Sequence, residues 1–99
     1  MTRTKSMIYK PSEEARELLI VATNNGTYHK TMIMPMIKNF QRKYKKGTFN
    51  QDKAADAFYR VATAASDQYK KDYGYGFTVT DRFTAAVDMV NYYMEDITE

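Results

Sequence analysis

The sequence predicts an all-α protein, a small four-helix bundle-like single domain over residues 1–99. Three observations support this prediction. Apolar residues recur at steps of three and four along four segments of the chain, as they do on one face of a helix. Short stretches of glycine, asparagine and threonine separate these segments. A length of 99 residues, of which 43% are hydrophobic, provides one modest core and leaves no room for a second domain.

The first helix is predicted at residues 12–24, after an extended or mobile arm over residues 1–10. Ser12 can cap its N-terminus, and the two glutamates that follow suit the first turn, where the helix dipole favours negative charge. The stretch Asn24-Asn25-Gly26 ends the helix. We expect its core face to consist of four apolar residues, Ala15, Leu18, Leu19 and Ala22.

The second helix is predicted from Tyr28 to Lys46, and Gly47 suits the left-handed residue just beyond its end. Pro35 interrupts the pattern because a proline lacks a backbone N–H and crowds the preceding turn. Two alternatives stay open: the helix kinks at Pro35, or a short helix ends there and another begins with proline in its first turn. The expected core face is Ile33, Met36, Ile37, Phe40 and Tyr44.

The third helix is predicted at residues 51–72, with Asn50 as its cap, and its many alanines suit a central helix that its neighbours approach closely. Its expected core face is Ala54, Phe58, Val61, Ala62, Ala65 and Tyr69. After a turn at Gly74-Tyr75-Gly76, a fourth helix starts with Thr78 or Thr80 as cap and continues to the C-terminus. Its expected core face is Phe83, Ala86, Val87, Val90, Met94 and Ile97.

Charge is distributed unevenly along this chain, whose net charge is +3. Residues 30–46 carry six basic side chains and no acidic one, whereas residues 81–99 carry five acidic side chains and one arginine. At helical spacing the basic residues form a cationic ridge, a surface that can bind phosphates or an acidic protein. The alternative is a solvated helix end whose cations complement the helix dipole. The candidate residues, here called the basic patch, are Lys38, Arg42, Lys43, Lys45 and Lys46.

No residue pattern predicts catalysis, a metal site or a cofactor. His29 is the only histidine and has no acidic residue near it in the sequence, so we expect it to be exposed at a helix start. Two carboxylate pairs, Glu13 with Glu17 and Asp52 with Asp56, each share a helix face. They lack the ligand density of a calcium or di-iron site, so solvated faces are the better interpretation.

The sequence is typical of a protein from a reducing compartment, and we expect it in the cytoplasm. The chain contains no cysteine, so it has neither disulfides nor zinc-thiolate sites. The cations near its start are not followed by the apolar stretch of a signal peptide. Its longest apolar runs, such as residues 32–37, are far shorter than the roughly 20 residues of a membrane span.

One part of the sequence resembles a known group of proteins. The segment Lys46-Gly47-Thr48-Phe49-Asn50-Gln51-Asp52-Lys53-Ala54, followed by an alanine-rich helix that ends in Gln68-Tyr69-Lys70-Lys71-Asp72-Tyr73-Gly74, is similar to small helical proteins encoded by tailed phages and viral metagenomes. The similarity covers about residues 28–97. It implies a virus-encoded accessory protein that is expressed in a host cell, and it implies no activity or functional residue.

Two hypotheses for function follow. The first is a non-enzymatic module that binds a host or viral protein or assembles with itself. Apolar residues that point in different directions from a helix support it, because they cannot all face one core. Such residues are Met32, Met34 and Met36 at alternate positions, and Tyr92 and Tyr93 at adjacent positions. The second hypothesis is a nucleic-acid-binding accessory protein that uses the basic patch, together with cations of the N-terminal arm.

Overall fold

The computed structural model describes residues 12–99, and over this range the protein is all-helical, as predicted, with no strand. The predicted arm over residues 1–10 lies outside the described residues. The helical segments are α1 (Glu13–Thr23), α2 (Gly26–Tyr28), a π-helical turn (His29–Ile33), α3 (Met34–Lys45), α4 (Gln51–Tyr73), α5 (Val79–Tyr92) and α6 (Met94–Thr98).

The predicted helix caps are present. The side chain of Ser12 accepts a hydrogen bond from the backbone N–H of Ala15, and Asn50 accepts one from Lys53, each at 3.1 Å. Of the two threonines proposed for the last long helix, Thr78 is the cap. It forms a reciprocal capping box with Asp81, in which each side chain accepts a hydrogen bond from the other's backbone N–H. These local bonds determine where α1, α4 and α5 begin.

The second predicted helix starts earlier than Tyr28 and contains a π-helical turn. Asn25 caps it by accepting the N–H of Tyr28 at 3.0 Å, so helical structure begins at Gly26. The N–H of Met34 then bonds to the carbonyl of His29, one residue farther than in an α-helix. Pro35 follows in the first turn of α3, where a missing N–H costs little. Helical structure is therefore continuous from Gly26 to Lys45, so the chain does not split into two separate helices at Pro35.

Helices α4, α5 and α1 pack against one another, and α4 is antiparallel to both neighbours. Along the α4–α5 pair, Phe77 N–H donates to Ser66 Oγ (2.9 Å) and Arg82 reaches Thr63 Oγ1 (3.5 Å). On the other side of α4, the hydroxyl of Tyr69 donates to Glu17 of α1 at 2.8 Å. The alanines of α4 permit this close packing, because most of its predicted core face is fully buried: Ala54, Phe58, Val61, Ala62 and Ala65.

Phe58 lies at the centre of an aromatic group that joins three parts of the chain. Its ring lies 6.2 Å from that of Phe40 on α3 and 5.7 Å from that of Tyr93, with which it is stacked at an interplanar angle of 9°. The predicted uninterrupted fourth helix is wrong, because the chain leaves α-helical geometry at Tyr93 (φ −97°, ψ 7°). The break keeps the Tyr93 ring on Phe58 and lets Ile97 of α6 return to the core.

Some predicted core residues face solvent instead. Tyr44 is 46% exposed and Phe83 is 54% exposed, while Tyr69 is only half-buried. Helix α5 is rotated about its axis relative to the predicted orientation, so that Met89, and not Phe83, is fully buried in the core. The other predicted positions that are only half-buried are Leu19, Met36, Val87 and Met94.

The neighbouring tyrosines Tyr92 and Tyr93 provide a matched test of the stack on Phe58. Tyr93 is 5% exposed, whereas Tyr92 is 66% exposed. Truncating a buried aromatic ring leaves a cavity, so Tyr93→Ala should lower the free energy of unfolding by about 3 kcal/mol. Tyr92→Ala should change it by less than about 1 kcal/mol. Urea denaturation monitored by circular dichroism measures both, and equal losses would contradict the stack's role.

Candidate functional site

All five residues of the basic patch are exposed. Four of them lie on α3 between Lys38 and Lys45, Lys46 is the C-cap of the helix, and the helix ends in a Schellman motif. In this motif the N–H of Thr48 bonds to the carbonyl of Lys43 (2.8 Å), and that of Gly47 bonds to Tyr44 (3.0 Å). Gly47 has a φ of +78°, as predicted for a left-handed residue. Because backbone N–H groups already bond to these last carbonyls of the helix, the lysine side chains are not needed as donors there and can extend into solvent.

Three of the patch residues form a ridge, because Lys38, Arg42 and Lys45 follow one another at steps of four and three along α3. Arg42 also donates to the side-chain oxygen of Asn39 at 3.4 Å. Lys43 lies about 100° around the helix from Arg42 and so outside the ridge, whereas Lys46 follows Arg42 by four residues and lies at the end of the ridge. The predicted ridge is therefore present and accessible.

The acidic C-terminal helix packs beside this ridge. Gln41, which lies between Lys38 and Lys45 on the helix surface, donates its side-chain N–H to the backbone carbonyl of Asp96 at 2.8 Å. This bond joins α3 to α6, which contacts α3 more extensively than it contacts α5. Lys38, Arg42 and Lys45 of α3 and Glu95, Asp96 and Glu99 at the C-terminus are all exposed and belong to these two neighbouring segments; we call the two sets together the two-sign surface.

His29 is half-buried rather than exposed, so the sequence-based expectation was wrong. It lies in the π turn, and its ring centroid is 6.4 Å from that of Tyr93. The extra residue of the π turn rotates the imidazole towards the aromatic group around Phe58. Within residues 12–99, no group of three or more histidine and carboxylate side chains is placed to hold a metal ion.

The carboxylate pairs and the glycine turn serve the fold. Both pairs, Glu13 with Glu17 and Asp52 with Asp56, are exposed as predicted. Glu17 accepts the hydrogen bond from Tyr69 that ties α1 to α4. Gly74 ends α4 in the left-handed conformation, with a φ of +87°, which confirms a turn there.

The methionines around Pro35 divide as expected. Met34 is exposed, and Met32 and Met36 are half-buried. These two line a shallow cavity of about 320 Å³ beside Pro35, together with Ala57 and Arg60 of α4 and Thr31. The two thioethers in its lining are flexible and adapt to many shapes, so this cavity indicates no particular ligand.

A second cavity, which sequence reasoning missed, lies between the C-terminal end of α1 and the last turns of α4. It has a volume of about 180 Å³, and three tyrosines form much of its wall. We call it the tyrosine cleft; its lining consists of Val21, Asn25, Tyr28, Ala65, Gln68, Tyr69, Asp72 and Tyr73. The spacing of Tyr69 and Tyr73 was the available signal, but folding brings Tyr28 to them from 41 residues away in the sequence.

Three tyrosines have perturbed acidity. Burial and the nearby Asp67 and Asp72 raise the pKa of Tyr28, and burial raises that of Tyr93. The pKa of Tyr69 is also raised, first by its contact with the hydroxyl of Tyr75 and then by its hydrogen bond to Glu17. All three phenols therefore stay protonated near neutral pH, where they can donate hydrogen bonds but cannot act as anionic nucleophiles.

Comparison of the chain with protein-family models, curated proteins and solved structures finds no match. Along residues 12–99, no helix combines the length and the apolar character that crossing a membrane requires. The candidate sites therefore rest on their own geometry.

Proposed function

We propose that this protein is a non-enzymatic helical interaction module that assembles with a second copy of itself through the two-sign surface. The observation that carries the proposal is the bond between Gln41 and Asp96, which keeps the cationic ridge of α3 next to the carboxylates of α6. A surface with adjacent positive and negative halves is complementary to itself under a two-fold rotation. Such a rotation places the ridge of one copy on the carboxylates of the other.

The exposure of both halves supports a contact between molecules. Ion pairs between exposed charges within one chain contribute little to its stability, so stabilisation of the monomer is a poor explanation for both exposed sets. Tyr44, one turn along α3 from Gln41, adds an aromatic ring that is 46% exposed. Exposed tyrosine is enriched at protein interfaces because it combines apolar area with a hydroxyl. Charge would set the orientation of the two copies, and the ring would add buried area.

The same arrangement favours a protein partner over nucleic acid. Phosphates are attracted to Lys38, Arg42 and Lys45 but repelled by the carboxylates that lie next to them. A protein surface of mixed charge meets both halves favourably. Proximity of Glu95 and Asp96 to the ridge therefore lowers its attraction for a polyanion without lowering its attraction for a second copy.

Two further parts of the proposal have separate support. For the non-enzymatic character, the raised pKa values of Tyr28, Tyr69 and Tyr93 mean that none of these three phenols is activated as an anionic nucleophile. The resemblance to small phage-encoded proteins supports a virus-encoded accessory protein that acts in the cytoplasm of a host cell.

A charge-swap experiment tests the self-association. In a two-fold dimer, Lys38→Glu and Glu95→Lys each place like charges in both symmetric contacts, so each variant alone should dimerise about tenfold more weakly than the unmodified chain. An equimolar mixture of the two variants restores opposite charges in both contacts. Sedimentation equilibrium should therefore find a heterodimer in the mixture, and raising the salt concentration should weaken every dimer.

Matched controls carry the same charge changes elsewhere. Lys30→Glu lies in the π turn and Asp56→Lys lies on the exposed side of α4, so neither should alter the dimer. An unmodified chain that stays monomeric at high concentration would overturn the proposal. Equal weakening by the control variants would show that net charge, and not the two-sign surface, governs association.

The exposure of all five basic-patch residues favours nucleic-acid binding as the second candidate function. If phosphates bind there, replacing Lys43 and Lys46 with glutamine should reduce affinity for a DNA or RNA duplex. The slope of log affinity against log salt should fall by about two. Gel-shift titrations at several salt concentrations measure this, and no shift at low salt would exclude the candidate.

A further inference from the structure

We infer that the tyrosine cleft is a binding site for an organic cation, an alkylammonium or guanidinium group. This inference does not depend on the two-sign surface, because the cleft is formed by α1, α2 and the C-terminal part of α4. Its lining combines the aromatic rings of Tyr28, Tyr69 and Tyr73 with the carboxylate of Asp72. Aromatic faces and a carboxylate are the two groups that attract a weakly hydrated cation most strongly.

The aromatic walls are held in place by bonds of their own hydroxyls. Tyr28 donates to the backbone carbonyl of Ala64 at 3.1 Å, and Tyr69 donates to Glu17 at 2.8 Å. The ring of Tyr73 packs 4.5 Å from that of Tyr69, tilted by 43°. Two rings are therefore fixed by hydrogen bonds, while the third, that of Tyr73, lines the cleft and is 66% exposed. A preformed wall binds a cation with a small loss of conformational entropy.

The electrostatic field in the cleft favours positive charge. Asp72 is oriented by the side-chain amide of Gln68, which donates to it at 3.1 Å. Besides burial, the negative charges of Asp67 and Asp72 raise the pKa of Tyr28 on the other side of the cleft, because they disfavour ionisation of its phenol. The C-terminal end of α1 and the N-terminal end of α2 both line the cleft, at Val21 and Asn25, so their dipoles oppose each other and the carboxylates determine the field.

Nearby charges of the chain leave this field in place. Helix α1 has no basic residue in its last turn. Lys70 and Lys71 lie in the last turn of α4, but neither lines the cleft. Asp72 occupies the same turn, where the helix dipole disfavours a carboxylate. A residue that opposes the local preference of its helix is typical of a functional position.

The dimensions fit a small group. A cavity of about 150 Å³ accommodates a benzene-sized guest, and the tyrosine cleft measures about 180 Å³. A trimethylammonium or guanidinium head group falls within this range. The group can come from a basic side chain of another protein or from a free amine, and both sources share the chemistry that the cleft recognises.

The first experiment separates charge from shape. Choline and arginine are titrated into the full chain and followed by two-dimensional NMR of the backbone amides. Their uncharged counterparts, dimethylbutanol and citrulline, are titrated in parallel. We expect choline or arginine to cause saturable shifts at residues 65–73, with the matching neutral compound at least tenfold weaker, a difference of about 1.4 kcal/mol. Absence of saturable shifts, or equal binding of the neutral compounds, would overturn the inference.

Variants then test the lining residues. Tyr73→Ala should weaken binding of the cation roughly threefold to thirtyfold, the range of one cation–π contact. Tyr92→Ala is its matched control, because Tyr92 is equally exposed, packs on one neighbouring tyrosine and lies outside the cleft. Asp72→Asn should also weaken binding, whereas Asp56→Asn on the same helix should not. Retention of full affinity in both Tyr73→Ala and Asp72→Asn would contradict the assignment.

The source of the cation is distinguished by a capped peptide that contains trimethyl-lysine or arginine. Affinity at least tenfold higher for the peptide than for choline or free arginine would identify a protein side chain as the occupant. Higher affinity for the free compound would identify a small amine. Unchanged urea midpoints of all variants show that they remain folded.

Discussion

The stack of Tyr93 on Phe58 is the contact on which the arrangement of the C-terminal region depends. Because the Tyr93 ring must lie parallel to a fully buried ring of α4, the chain cannot continue α5 in a straight line. The backbone turns at Tyr93, and α6 folds back with Ile97 in the core. This turn places α6, which carries carboxylates, against α3, which carries the cationic ridge. The interaction surface is thus a consequence of how one aromatic ring is buried.

The α3 side of that surface depends on backbone chemistry before and after the helix. The π turn lies just before Pro35 and affects the rotation of α3, in which Ile37 and Phe40 face the core and Gln41 faces α6. The Schellman motif at Gly47 ends the helix immediately after the last lysine. Phe49 then packs edge-on against Phe40 at 5.7 Å, which holds the corner against the same aromatic group. Core and surface are therefore positioned by the same short segment.

Local features of the fold were predictable from the sequence, and long-range ones were not. Ser12, Asn50 and Gly47 act within four residues of their partners, so their cap positions could be deduced from spacing alone. The rotation of α5 depends on which neighbours cover it, and for that reason Phe83 was wrongly placed in the core. The break at Tyr93 depends on Phe58, a residue 35 positions earlier in the sequence.

The candidate sites follow the same division. The exposure of the basic patch follows from helical spacing, whereas its position beside α6 and the existence of the tyrosine cleft depend on tertiary packing. The most direct test of this account is the distance between α6 and the ridge. The chain has no cysteine, so a spin label can be attached to Glu95→Cys alone. The spin-labelled chain is also labelled with nitrogen-15 and is mixed with an excess of chain that carries neither label, so that the broadening of its amides reports distances within one molecule. We predict strong broadening of the amides of residues 38–45; sharp amides there would mean that the last helix continues past Tyr93 and that no two-sign surface exists.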